Sequence, residues 1–156
     1  MRWITVSALA LALLFGAAAS SQAKAPSFAR WLSHFSAGVK RDLTRISSAC
    51  EKRYGHDDLK VGTCFVKAER VSLRAERARL RNQIPLISRH QKRVCKQLIH
   101  RFWLASRTAA NANLAYLDSH RHASVTQLGR ALTGTRFTTL KQRTARAKAR
   151  AVHVCK

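Results

Sequence analysis

Apolar residues recur at helical spacing along most of the chain. Phe28, Trp31, Leu32, Phe35, Val39, Leu43, Ile46 and Cys50 step by three or four, which predicts a first amphipathic helix of roughly 22 residues. Gly38 weakens that helix by about 1 kcal/mol relative to Ala without breaking it. The stretch from Glu51 to Asp57, with Tyr54-Gly55-His56 at its middle, reads as a loop. Asp57 is a suitable N-cap for a second helix ending near Asn82. This second helix carries two apolar rows, one of Val61, Cys64, Phe65, Ala68, Val71 and Ala75, the other of Val66, Leu73, Leu80 and Ile84.

A tight link at Gln83–Pro85 leads to a third helix, Pro85–Asp118, with Pro85 at its first position, where a missing N–H leaves no ladder bond unmade. Its apolar stripe is Ile87, Val94, Leu98, Phe102, Ala105, Ala109, Ala112 and Tyr116. On the far face the first half shows Arg89, Lys92, Arg93, Lys96 and His100, a wet cationic surface. The second half shows Ile99, Trp103, Ala110, Leu114 and Leu117, which predicts cover on most sides. After a turn at Ser119–His122, Ser124 or Thr126 caps a fourth helix carrying Val125, Leu128, Leu132, Phe137, Leu140 and Ala147, with a bend at Thr133-Gly134-Thr135. No segment alternates as strands do. Four helices with short links imply an all-α antiparallel bundle.

The ends modify this picture. Arg2, the apolar run Ile4–Ala19 and the small residues up to Ala23 describe a secretory signal peptide cleaved after Ala23. The rival, an uncleaved anchor, is shorter than the roughly 20 residues a spanning helix needs. Cleavage leaves one helical domain, residues 24–156, with no transmembrane span. Within it, 141–156 is small and basic enough to fray, although Cys155 argues that the end is tied back. All four cysteines, Cys50, Cys64, Cys95 and Cys155, lie in this part. An even count in an exported chain reads as two disulfides, and no close C-x-x-C pair suggests zinc. Of the three connectivities, an antiparallel bundle favours Cys50–Cys64 across the first loop and Cys95–Cys155 between the third and fourth helices. Export and disulfides together point to a periplasmic or secreted protein.

The net charge is +23, and a leader ending at Ala23 removes only Arg2 from it. Such a surface attracts anionic polymers and membranes unless salt screens it. The sharpest candidate face is a row on the second helix: Lys60, Lys67, Arg70, Arg74, Arg77 and Arg81. Like charges at this spacing repel one another, and Glu69 and Glu76 are expected to offset them in part. The row suits phosphate, sulfate or carboxylate groups; a solvated cationic face is the plainer alternative.

Trp103-Leu104-Ala105-Ser106-Arg107, followed by Val125-x-x-Leu128-x-x-Ala131-Leu132-Thr133-x-x-Arg136-x-x-x-Leu140, resembles the lysozyme inhibitor LprI-like family of small exported helical domains. The likeness spans residues 58–142 or so. It implies a helical fold, export and binding to a macromolecular partner, lysozyme in the first instance, with Trp103, Arg107, Leu132, Thr133 and Arg136 as the motif residues. The family's later cysteines have no counterpart, since Asn111 and Gln127 stand near their places. From the residues themselves, Trp103 and Arg107 are one turn apart and within cation–π reach. An Arg buried there needs a carboxylate, with Asp118, Asp42 and Asp58 on offer.

Catalytic chemistry is poorly provided for. His34, His56, His90, His100, His120, His122 and His153 are scattered, and no spacing selects a pair for proton exchange at a phosphodiester. His120-x-His122 with Asp118 is at most a weak metal motif. Nucleophile-elbow, zincin and phosphate-loop motifs are absent, and seven acids in all leave little for paired carboxylates. The expectation is a non-enzymatic exported domain, without cofactor or metal, that binds a macromolecular partner in the cell envelope. The alternative is a polycation that binds nucleic acid non-specifically, lipopolysaccharide or lipid surfaces through the Lys60–Arg81 face.

Overall fold

The computed structural model describes residues 27–155 except His90; the expected signal peptide lies outside the described residues. Five helices follow one another: α1 (Phe28–Tyr54), α2 (Asp58–Ser88), α3 (Arg93–Ser119), α4 (Val125–Thr133) and α5 (Thr135–Val154). The described residues contain no strand. Helices α1, α2, α3 and α5 run up and down as an antiparallel bundle. α5 is held mainly by α3, and α4 lies across one end against α2.

Local signals start and stop these elements. Ser27 caps α1 by accepting from the Arg30 N–H, and Asp57 caps α2 by accepting from Lys60. Gly55 ends α1 at φ 62°, a left-handed conformation that glycine adopts without penalty. Ser124 and Gln127 form a reciprocal capping box on α4.

Two boundaries differ from the sequence expectation. The link expected at Gln83–Pro85 falls after Ser88 instead, and Pro85 sits inside α2. Pro85 is exposed, so the carbonyl it leaves without a ladder partner lies on the wet side of the helix. Leu80 and Ile84 meanwhile carry the buried row of α2 onward into the core. The bend expected at Gly134 is a full break. Gly134 is extended (φ −65°, ψ 158°) and serves as C-cap of α4 and N-cap of α5, so the expected fourth helix is two. The basic run after Lys141 is helical to Val154, with Thr144 and Ala151 buried.

Cys50 pairs with Cys64 and Cys95 with Cys155, at Cα–Cα distances of 5.7 and 5.5 Å. This is the expected connectivity, and it fits an oxidising compartment. Of the two apolar rows expected on α2, Val66, Leu73, Leu80 and Ile84 are all buried, whereas Val71 is 66% exposed. On α3 the expected stripe is partly displaced. Val94 is exposed, and Cys95, Ile99, Phe102, Leu114 and Leu117 form the buried side, because α3 packs against α2 and α5 at once.

The core falls into two clusters. One joins Val39, Leu43, Cys50, Val61, Phe65, Val66, Leu73, Leu114, Leu117, Ala123 and Leu128. The other joins Phe28, Leu32, Leu80, Ile84, Cys95, Ile99, Phe102, Ala151 and Cys155. Along α1, α2 and α3 the step from one cluster to the other passes a polar residue, Ser36, Glu76 and the buried Ser106 hydroxyl in turn, and Thr144 is buried on α5, which joins the second cluster only. The molecule therefore has two ends, each with its own disulfide, with a belt of polar residues between them that Phe35 bridges by packing against both clusters.

Candidate functional site

The row Lys60, Lys67, Arg70, Arg74, Arg77 and Arg81 does not behave as one face. At its start, Lys60 makes an ion pair of 2.9 Å with Asp57. That contact lowers the Asp57 pKa and raises that of Lys60. In the middle, Asp118 from the last turn of α3 binds Arg70 and reaches Arg74 at 3.8 Å. The Arg70 side chain is only 20% exposed. Lys67, Arg77 and Arg81 are exposed and have no ion pair with any described residue. The row is thus neutralised in part by acids from outside it, and it stays uncompensated chiefly at its Arg77–Arg81 end.

The acids expected to offset the row do not do so. Glu69 and Glu76 point into the bundle, and Glu69 is 1% exposed. Both Glu69 carboxylate oxygens lack a hydrogen-bond partner. Burial, with Glu76 and Asp42 nearby, holds its carboxyl well above the usual range. Burial also pushes Glu76 up to about 7, against the lowering effect of a 3.4 Å hydrogen bond donated by Ser72. A seven-residue spacing placed these two glutamates on the core face beside Val66, Leu73 and Leu80. That register was legible in the sequence, but their charge suggested the opposite assignment.

The remaining acids, Asp42, Glu51, Asp57, Asp58 and Asp118, all lie in the half closed by Cys50–Cys64. The half closed by Cys95–Cys155 collects Arg30 from α1, Arg77, Arg79 and Arg81 from α2, Arg93, Lys96 and Arg101 from α3, and Arg146, Lys148 and Arg150 from α5. Among its described residues it carries no acid beyond Glu76 in the belt. Single-helix reasoning missed this asymmetry, although the signal is present: between Glu76 and Asp118, and again after Asp118, the sequence contains no acidic residue.

The motif residues are spread rather than gathered. Arg107 lies over the Trp103 ring at 4.8 Å and is exposed, so it is not the buried Arg in need of a carboxylate. Asp118 serves Arg70 and Arg74 instead, and Asp42 pairs with Arg45 at 3.2 Å. Leu132 is half-buried, the Thr133 hydroxyl donates to Gly129 and Arg130 carbonyls within its own helix, and Arg136 is exposed on the first turn of α5.

An open depression of about 800 Å³ lies at the Cys50–Cys64 end, lined by residues that include Tyr116, Asp118, His120, His122, Gln127 and Arg130. His120 stacks on Tyr116 at 4.0 Å, and its Nδ1 sits 2.9 Å from both the Ser119 hydroxyl and the Tyr116 carbonyl. This ring nitrogen is thus engaged by its own turn. Among the described residues no group of three His, Cys, Asp or Glu side chains is placed to hold a metal ion, and no helix is long and apolar enough to cross a membrane.

Comparison with family models, with curated proteins and with solved structures finds no match. The likeness to the LprI-like family rests on the short motifs alone.

Proposed function

We propose that this chain is an exported, non-catalytic helical domain of the periplasm or extracellular space that binds anionic polymers or surfaces of the cell envelope, lipopolysaccharide being the type. The observation that carries the reading is the acid-free half of the bundle. There, cations from four helices stand around the Cys95–Cys155 end, and among the described residues no exposed acidic side chain stands with them. Such a surface gains most of its binding free energy from released counterions, so its affinity depends steeply on salt. Approach to a cationic lysozyme is disfavoured by the same charge, which sets the polyanion ahead of the inhibitor reading.

The test is equilibrium binding of residues 24–156 to lipopolysaccharide, with a random-sequence DNA duplex as a charge control. Between about 50 and 200 mM salt, four phosphate contacts predict a loss of about a hundredfold on DNA. Arg77→Glu with Arg81→Glu should lower both the affinity and the salt slope, whereas Lys60→Glu, at the partnered start of the row, should change little. Absence of binding to either ligand at low salt sinks the reading.

One observation favours a protein partner. Trp103 and Arg107 form a half-exposed cation–π pair beside Leu104, which is itself exposed, and Trp and Arg are residue types that anchor interfaces. Binding to an envelope protein that survives high salt and fails with Trp103→Ala would favour this second reading.

A further inference from the structure

The acid-free half ends in an apolar tip. Large exposed apolar side chains in the described residues are Leu59, Val71, Leu86, Val94, Leu104 and Val154. Leu86, Val94 and Val154, at 64%, 60% and 50% exposure, come from three different helices and share one end of the bundle. Leu86 is in the last turn of α2, Val94 in the first turn of α3 and Val154 at the close of α5. The Cys95–Cys155 bridge joins the immediate neighbours of the two valines, with its Cα atoms 5.5 Å apart. Around these residues stand Arg89, Lys92, Arg93, Lys96 and Arg150, all exposed. The chain also enters the bundle at this end, since Phe28 packs in the same cluster as Cys95 and Cys155.

Exposed apolar side chains are commonplace singly, but grouped and ringed by cations they mark an interaction site. A nucleic acid would use the ring and leave the apolar groups in water. An anionic bilayer uses both, taking the apolar groups into the headgroup boundary while Lys and Arg meet the phosphates. We infer that the Leu86–Val94–Val154 tip docks end-on to an anionic lipid bilayer, inserting these three side chains beneath a collar of Arg89, Lys92, Arg93, Lys96 and Arg150. The inference rests on the proposed polyanion binding and adds the orientation and the lipid.

Vesicles of mixed phosphatidylglycerol and phosphatidylcholine, with pure phosphatidylcholine as control, provide the test, alongside the DNA duplex. The variant Leu86→Ser/Val94→Ser/Val154→Ser should lose at least about tenfold in affinity for anionic vesicles while keeping its affinity for DNA. Leu86→Trp or Val94→Trp should add tryptophan emission that shifts to the blue on anionic vesicles, relative to the unsubstituted chain, and that brominated lipid quenches. The three side chains are exposed, so circular dichroism melting should find the variants folded. If the serine variant binds vesicles as tightly as the parent, or the new tryptophan stays in water, the tip inference fails while the charge reading stands. Binding to DNA but not to anionic vesicles has the same consequence. If the parent binds neither ligand, both fail together.

Discussion

The two ends of the bundle solve different problems with similar means. Each has an apolar cluster and one disulfide, yet the Cys50–Cys64 end holds Asp57 and Asp118 and uses both internally: Asp57 as helix cap and partner of Lys60, Asp118 as partner of Arg70 and Arg74. The Cys95–Cys155 end gathers cations from four helices, and among the described residues no acidic side chain stands with them beyond Glu76 in the belt. Arg77, Arg81, Lys92, Arg93 and Lys96 there face solvent, while the exposed apolar residues of this end gather at the tip. Paired charges fix a loop and a helix end; unpaired ones store an attraction that only an external anion satisfies. The difference teaches that in a strongly basic domain the binding surface is found by locating the acids rather than the bases.

The largest expected difference between the ends is in their staples. Cys95–Cys155 closes a sequence separation of 60 residues and Cys50–Cys64 one of 14. Chain-entropy arguments assign the first about 4 kcal/mol and the second about 3 kcal/mol. Urea unfolding of the paired Cys→Ser variants should rank them in that order, and the reverse ranking would show that the short loop is the more strained against unfolding.

Between the ends, Glu76 makes the belt sensitive to pH. Its folded pKa of about 7 stands above the ordinary value of 4.5, so the protonated carboxyl favours the folded state. The corresponding stability is fully present below about pH 4.5, falls as pH rises, and is lost above about 7, a change of the order of 3 kcal/mol. Glu76→Gln should therefore be nearly neutral at pH 4 and stabilising at pH 8. A stability difference between parent and variant that does not vary with pH contradicts the assignment. Glu69→Leu, which replaces a buried carboxyl with no hydrogen-bond partner, should also stabilise at pH 8.

Gly62 tests the packing of the Cys50–Cys64 end. A Cβ there would collide with the Ala123 carbonyl and come within 2.7 Å of the Ser124 and Val125 backbone. Gly62→Ala should cost about 2 kcal/mol and, in hydrogen exchange, loosen α4 while leaving the other end protected. The smallest effect expected is at Trp31, whose indole N–H donates to Gln83 Oε1 at 2.9 Å. Trp31→Phe should cost about 1 kcal/mol through loss of that hydrogen bond between α1 and α2.

Much of the fold was legible from residue spacing. The helical class, the caps at Asp57 and Ser124, and both disulfides followed from the apolar period and from the up-and-down path. Pro85 misled because a proline usually opens or ends a helix, whereas here the apolar row of Leu80 and Ile84 continues past it. Gly134 looks like a bend in the sequence because nothing local distinguishes a kinked helix from two helices sharing one capping residue. The site was less legible. Charge placed Glu69 and Glu76 outside, although their seven-residue spacing in register with Val66 and Leu73 put them inside. The pairing of Asp118 with Arg70 and Arg74 joins positions that only the packing of α2 on α3 brings together.

The central claim is that the acid-free half is the binding half, and a lysine footprint tests it most directly. The chain, free and saturated with lipopolysaccharide, is exposed to an amine-reactive reagent and modification is read at each lysine by mass spectrometry. Strong protection is predicted for Lys92 and Lys96, while Lys52 and Lys60 at the opposite end keep their reactivity. Equal protection at both ends, or protection confined to Lys52 and Lys60, would contradict the account.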